Sequence, residues 1–473
     1  MIKQAKFDCY PQKESIEITE SSAEVQLQAL LDCTVKRLVK AQQPVFGLYM
    51  NSIDLQNVEM IYKWGFDGSS GQSQYKQKFS SDSLNNAVTD ANMILTSVVP
   101  IQMYGYDNNR NNEKLIFWQN PKVSSTKYCR PIHFQFKKET KQTTKEEVKH
   151  IQAQIQNLQP SHVIVGNVEL AIKHKLILTM VDQKVCNSIT DTSSRKCYIC
   201  AASPKDMNNL EHVNKRPCNA STYSFGLSVL HAHIRFFECL LHIAYRMDFK
   251  KWQARTQEEK DKMNARKKLI IERFRKEYGI LVDQPKQGSG NTNDGNTARR
   301  FFKNPEQSAN ITGVDKTIIH MFSIILKTIW SGFDINVNEF RKYLNGTANL
   351  YVQLYNRYKM PASVHKILLH GADIINSSIL PIGQMSEEVQ EARNKDYRYY
   401  RQYNTRKSSR IKTNEDLLNI LLVSSDPFIS GMRSFSKQKE ESIPSEVLSL
   451  LNSPKTSNFA TDNEDECSSD HSE

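Results

Sequence analysis

Val58-Glu-Met-Ile-Tyr-Lys-Trp-Gly-Phe66 is the first of the short apolar runs on which the fold turns. Aromatic and β-branched residues fill it, and Asp67-Gly-Ser-Ser-Gly71 follows, so it reads as a strand entering a turn. Met93-Ile-Leu-Thr-Ser-Val-Val-Pro-Ile-Gln-Met103, Lys114-Leu-Ile-Phe-Trp118 and Pro131-Ile-His-Phe-Gln-Phe136 continue the pattern. Such a succession predicts a meander. A polar helix is expected from about Thr143 to Leu158, and after Pro160 the runs Val163-Ile-Val165 and Leu176-Ile-Leu-Thr-Met-Val181 return to strand character. Strands, then a helix, then a strand describe an α/β sheet with a crossover.

Upstream, residues 1–55 open polar and then carry a helical pattern from Ala23 to Ala41, with Leu27, Leu30, Leu31, Val35 and Leu38 on one face. We read them as a small helical N-terminal unit. Downstream, Leu230, Ile234, Phe237, Leu241 and Tyr245 mark a core-facing helix. Lys250 to Lys276 holds eleven basic residues, and Gln287 to Gly295 is a loop by its Gly and Asn content. Helices are expected over about 314–331 and 337–358, from Ser386 to about Tyr403, and around Leu417 to Val423. Residues 434–473 turn Ser/Pro-rich and then acidic, with six acids and no Lys or Arg from Phe459 to Glu473. That composition predicts a disordered tail.

The 473 residues allow two or three domains. Lys and Arg number 63 against 51 Asp and Glu, a formal charge of +12 that favours polyanion partners. Hydrophobic residues make up 39%, enough for buried cores, while a mean hydropathy of −0.57 implies long solvated stretches. No apolar run reaches the roughly 18 residues of a membrane span, and the first residues lack the apolar segment of a signal peptide. A soluble intracellular protein without a membrane partner is expected. Nine cysteines, an odd number in so long a chain, point to thiols or metal ligands rather than a disulfide framework.

Only Cys197-Tyr-Ile-Cys200 has ligand spacing, and His365-Lys-Ile-Leu-Leu-His370 adds a His pair within the range of Cys2His2 sites. Together they would staple two distant segments through one zinc ion. A redox pair, or two buried thiols and a half-buried His pair, is the plainer alternative. Asp67 and Asp182 each follow a strand, as Mg²⁺-binding carboxylates often do, and each could equally be a turn-initiating Asp. Glu387, Glu388 and Glu391 open the helix after Ser386, where acids also suit the helix dipole. Beyond Glu391 come Arg393, Lys395, Arg398, Arg401, Arg406, Lys407, Arg410 and Lys412, interleaved with tyrosines, a composition suited to a phosphate backbone.

In this order, Gly65-Phe-Asp67-Gly-Ser-Ser, Met180-Val-Asp182-Gln-Lys-Val, the Cys pair, Asp294-Gly-Asn-Thr-Ala-Arg-Arg300, the His pair and Ile382-Gly-Gln-Met-Ser-Glu-Glu-Val-Gln-Glu391-Ala-Arg-Asn-Lys395 resemble the Transib transposases and the related catalytic subunit of the V(D)J recombinase. The resemblance runs from about Tyr62 to Leu422. It implies an RNase H-like mixed sheet with flanking helices, interrupted by a mostly helical zinc-binding insertion. Residues 1–55 would be a helical DNA-binding or dimerisation region, 56–190 the first part of the catalytic core, 191–375 the insertion and 376–433 the catalytic helix region. It implies that Asp67, Asp182 and Glu391 are catalytic and hold two Mg²⁺ or Mn²⁺ ions. Cys197, Cys200, His365 and His370 would hold structural Zn²⁺, and Arg299, Arg300, Asn394, Lys395, Arg398, Arg401 and Arg406 would lie against DNA.

The expected function is that of a nuclear, homodimeric DNA transposase that binds terminal inverted repeats. It would nick DNA, form hairpins on the flanking DNA and join the excised element's 3′ ends to target DNA. The alternative is a domesticated, transposase-derived DNA-binding protein without catalysis. Residues 288–295 lack the Gly-Lys-Ser/Thr ending of a P-loop, so no ATP requirement is expected. The sequence departs from the recombinase in two places. No dedicated element-end-binding domain is identifiable before Asp67, and Val389-Gln390 replaces the recombinase's Gly-Asn ahead of Glu391, which keeps Glu388 as a substitute.

Overall fold

A computed structural model describes residues 6–49, 57–70, 77, 79, 90–107, 113–286, 290–433 and 442–453. Its strands are β1 (Ile16–Ile18), β2 (Ser22–Val25), β3 (Val58–Ser70), β4 (Asn92–Asp107), β5 (Glu113–Gln119), β6 (Arg130–Gln135), β7 (Ser161–Val165) and β8 (Val168–Met180). They form one mixed sheet in the order β1-β2-β6-β4-β3-β8-β7, with β5 paired to β4. Every pairing is antiparallel except β3 with β8. β4 is buried almost from end to end, which is why its sequence is a continuous apolar run rather than an alternation.

The longer helices are α1 (Leu27–Ala41), α2 (Lys141–Gln156), α3 (Gln183–Ile189), α4 (Val229–Tyr245), α5 (Gln257–Arg273), α6 (Gly295–Lys303), α7 (Pro305–Thr312), α8 (Lys316–Trp330), α9 (Val337–Tyr355), α10 (Ala362–Ser377), α11 (Glu388–Tyr403) and α12 (Arg410–Ser424). α1 packs on β7 and β6, α11 on β3, and α12 on β6 and β2. Between α3 and α11 the chain is helical, with a core built on pairs such as Phe236 and Phe322, whose ring centroids lie 4.5 Å apart. α2 starts on a Thr140 capping box, and α5 on one made by Thr256 and Glu259. The mixed α/β class, the meander and the crossover through α2 agree with the sequence reading. Among the described residues no helix is long and apolar enough to cross a membrane, and the eight described cysteines form no disulfide.

Two expectations change. The N-terminal stretch is not helical throughout, because Ile16–Ile18 and Ser22–Val25 extend the common sheet. Its helix begins only at Leu27, and Arg37 on that helix forms a buried ion pair with Asp426, Nε to Oδ2 at 2.9 Å. The expected tail also contains folded chain. Val447 and Leu450 are buried, Leu451 bridges to Ile335, and Glu446 meets His320 on α8 and Tyr343 on α9. The acidic stretch 454–473 lies outside the described residues.

Candidate active site and metal centre

Parallel pairing sets Gly65 of β3 opposite Met180 of β8. Two residues further along each strand direction come Asp67 and Asp182, so adjacent strands deliver both carboxylates to the same end of the sheet. Gly65 is required there, since a Cβ would lie 2.1 Å from the Met180 carbonyl oxygen. β3 continues to Ser70 in its pairing with β4, so Asp67 stands within the strand rather than at its end. Asp182 caps α3, its Oδ1 accepting from the Val185 amide at 2.8 Å.

Glu391 arrives from α11, whose seating is fixed by buried polar bonds. Lys63 Nζ donates to the carbonyls of Gln384 (3.0 Å) and Ser386 (2.7 Å), tying β3 to the segment that leads into the helix. Gln390 Nε2 donates to the Leu95 carbonyl at 2.6 Å, and Arg393 to the carbonyls of Cys129 (2.7 Å) and Leu421 (3.1 Å). So held, Glu391 lines a cleft of about 410 Å³ together with Asp67, Asp182, His231 and Glu387. Glu388 faces away from this cleft and pairs with Arg299. Glu387 accepts from Ser228 Oγ and the His231 amide, and its Oε1 lies 3.0 Å from His231 Nδ1. Of the three acids, Glu391 alone joins the aspartates without a competing buried partner.

The cleft concentrates negative charge. Burial, then repulsion from Asp182, Glu139 and Glu391, push Asp67 up to about 7, although Asn394 Nδ2 donates to its Oδ2 at 2.7 Å. Converging, partly desolvated carboxylates of this kind suit a hard divalent cation. Burial opposes charge on His231, but Glu387, through its hydrogen bond and charge, and then Asp182 and Asp67 outweigh it and raise His231 to about 9. Two of these groups escaped the sequence reading. His231 sits inside an apolar helix pattern, and Glu139 follows a lysine pair in a polar loop. Glu139 touches the space above Gly68 and bonds Lys184 at 2.7 Å, while its Oε1 is buried without a partner.

A second cluster gathers Cys197, Cys200, His365 and His370, all buried, with ligand atoms within 4.8 Å of one another. Ala201, in the left-handed region at φ 55°, closes the Cys turn by donating to the Cys197 carbonyl at 2.9 Å. α10 presents both imidazoles. Cys200 Sγ lies 3.3 Å from His365 Nε2, close to the roughly 3.5 Å edge of a tetrahedron with Zn–S and Zn–N bonds. His365 Nδ1 and His370 Nε2 are buried without hydrogen-bond partners. Two thiols, His365 Nε2 and the orphaned His370 Nε2 could hold a metal ion, and the reading as two merely buried thiols leaves that His370 nitrogen unexplained.

The expected DNA contacts divide. Lys395 is 78% exposed in its side chain and Arg398 and Arg300 are exposed, whereas Arg401 is buried, pairing with Asp90 at 2.7 Å above the Phe136 ring. Arg401 therefore holds the interior together and is not available to DNA. Arg406 is exposed but engaged by Asp416 at 2.6 Å, Arg299 is taken by Glu388, and Asn394 serves Asp67. No protein-family model and no curated protein matches this chain.

Proposed function

We propose that this chain is a DDE-type DNA transposase of the Transib kind, with an RNase H-like core and a zinc-organised helical insertion. The observation that carries the reading is the meeting of Asp67, Asp182 and Glu391 in one cleft from positions far apart in the chain. A meander followed by a crossover to a strand parallel with β3 supports the RNase H-like assignment. The Cys2His2 cluster is compatible with structural Zn²⁺ and would fasten the loop after α3 to α10.

Two divalent cations held by the three carboxylates would supply activation of the attacking oxygen and stabilisation of the leaving 3′ oxygen. The chain's own part is positional and electrostatic. β3 and β8 hold two carboxylates rigidly, and α11, pinned through Lys63, Gln390 and Arg393, sets the third. Glu387 occupies Nδ1 of His231 and keeps the ring cationic at neutral pH, which leaves Nε2 to donate toward a phosphate oxygen. The reaction would begin with water attacking phosphorus at an element end. The P–O3′ bond breaks, water loses a proton to solvent and the 3′ oxygen gains one. The freed hydroxyl then attacks the opposite strand to give a hairpin on the flanking DNA, and the excised element's 3′ ends join target DNA. Pairing of two ends predicts a homodimer, and the DNA substrate a nuclear location.

Purified protein with Mg²⁺ and terminal-inverted-repeat DNA should nick it, and Asp182→Ala should not. Equal nicking by both proteins would refute the reading. Binding without nicking in the unaltered chain would leave the non-catalytic DNA-binding alternative.

A further inference from the structure

A separate cavity of about 320 Å³ lies beside the carboxylate cleft and shares only Asp182, His231 and Arg235 with it. Its far wall is the N-terminus of α10, the helix that carries both His ligands of the metal cluster. Pro361 stands at the cap position, has no N–H of its own and provides no side-chain cap. The first-turn amides therefore lack intrahelical partners, and the positive end of the helix dipole faces the cavity.

Two buried side chains of the lining, Lys366 on α10 and Asn187 on α3, lack what burial demands. Lys366 is only 6% exposed and forms no ion pair among the described residues, its Nζ meeting Tyr198 Oη at 3.3 Å. A desolvated ammonium without a carboxylate partner is costly, and an anion in the cavity lowers that cost. Asn187 is also 6% exposed, and its Oδ1 is buried without a hydrogen bond. Its NH2 is the end of the amide that keeps solvent access, and it makes no hydrogen bond among the described residues. Lys184, Arg235 and Ser363 complete the lining, and its single carboxylate, Asp182, lies on the side shared with the cleft.

We infer that this cavity is a phosphate subsite, filled by a backbone phosphodiester of the DNA strand whose scissile bond lies in the neighbouring cleft. The DNA part of the inference rests on the function proposed above, whereas the anion site does not. Anchored by the Cys2His2 cluster at His365 and His370, α10 holds the subsite at a fixed place next to Asp182. The metal cluster thus acquires a part in positioning substrate.

Inorganic phosphate is the first probe, titrated into the full chain and followed by calorimetry. Lys366→Met should weaken its binding at least tenfold, and Ser363→Glu, at a partly exposed position, should abolish it while melting temperature and metal content hold. No phosphate binding by the unaltered chain, or unchanged affinity in both variants, overturns the subsite. The second probe is terminal-repeat DNA with one phosphodiester at a time replaced by a neutral methylphosphonate. One position near the nick should weaken binding to the unaltered chain and have no further effect on Lys366→Met, whose salt slope should also fall by about one. The same sensitivity in both proteins overturns the assignment to DNA. Absent nicking with phosphate binding intact would count against the transposase reading alone.

Discussion

Replacing Asp67 by Asn should stabilise the metal-free protein, because the aspartate is held against its own charge. Its carboxyl ordinarily titrates at 3.8 and in the folded chain at about 7, raised by burial and by Asp182, Glu139 and Glu391. Between those two pH values the folded state keeps a proton that the unfolded state has released, so stability falls as pH rises through that window and the full penalty applies above it. The displacement corresponds to about 4 kcal/mol as an upper bound, and relaxation of a cleft that admits water would bring it to about 2 to 4 kcal/mol. With an unfolding entropy of about 2 cal/mol/K per residue, a chain of this length gains about 1 °C per kcal/mol, hence about 2 to 4 °C. The amide oxygen of the variant can still accept from Asn394. Differential scanning fluorimetry in EDTA at pH 5 and pH 8 provides the comparison, repeated at pH 8 with Mg²⁺. The variant should melt higher than the unaltered chain at pH 8, with the gap narrowing at pH 5, and Mg²⁺ should raise the unaltered chain more than the variant. A variant no more stable at pH 8, or an equal response to Mg²⁺, would refute the electrostatic reasoning.

Other outcomes separate the neighbouring groups. Glu391→Gln should lower Mg²⁺-dependent nicking by at least about a thousandfold, while Glu388→Gln should leave nicking within about tenfold, since Glu388 faces Arg299 instead of the cleft. Arg401→Ala should destabilise by about 1.5 to 3 kcal/mol, measured by urea unfolding, without changing the salt dependence of DNA binding, because it strips one of the two buried arginines, the other being Arg410, that pair with Asp90. Lys395→Ala should do the reverse and lower the salt slope by about one. Cys200→Ser should lose bound zinc by elemental analysis and melt lower than the unaltered chain, and undiminished zinc would exclude the four-residue ligand set.

The parts of the fold that were legible in the sequence are those whose burial writes a continuous apolar run, such as β4, or whose ligands have fixed spacing, such as the Cys and His pairs. β1 and β2 were not. Three or four residues bounded by serines and threonines carry too little pattern, and Ala23 and Val25 merge with the heptad-like leucines of α1. Asp67 and Asp182 could be singled out as candidates, but only the parallel register of β3 and β8 puts them side by side. Arg401 misled for a physical reason. On α11 the inward stripe is Val389, Gln390, Arg393, Asn394, Tyr397 and Arg401, polar by composition yet buried, and the acid that neutralises Arg401 lies 311 residues away at Asp90. His231 and Glu139 gave no local signal because their partners, Glu387 and Lys184, are distant in the chain.

The same long-range stitching sets an order of events during synthesis. Asp67 and Asp182 come together as soon as β8 pairs with β3, but Glu391 and the α12 helix that covers β2 and β6 leave the ribosome much later. At about 5 to 20 residues per second, the interval between Asp182 and Glu391 is roughly 10 to 40 s. During it the nascent chain has both aspartates, an uncovered sheet face and no Glu391. A chain broken off before α11 would therefore present an aggregation-prone sheet face and a cleft without Glu391.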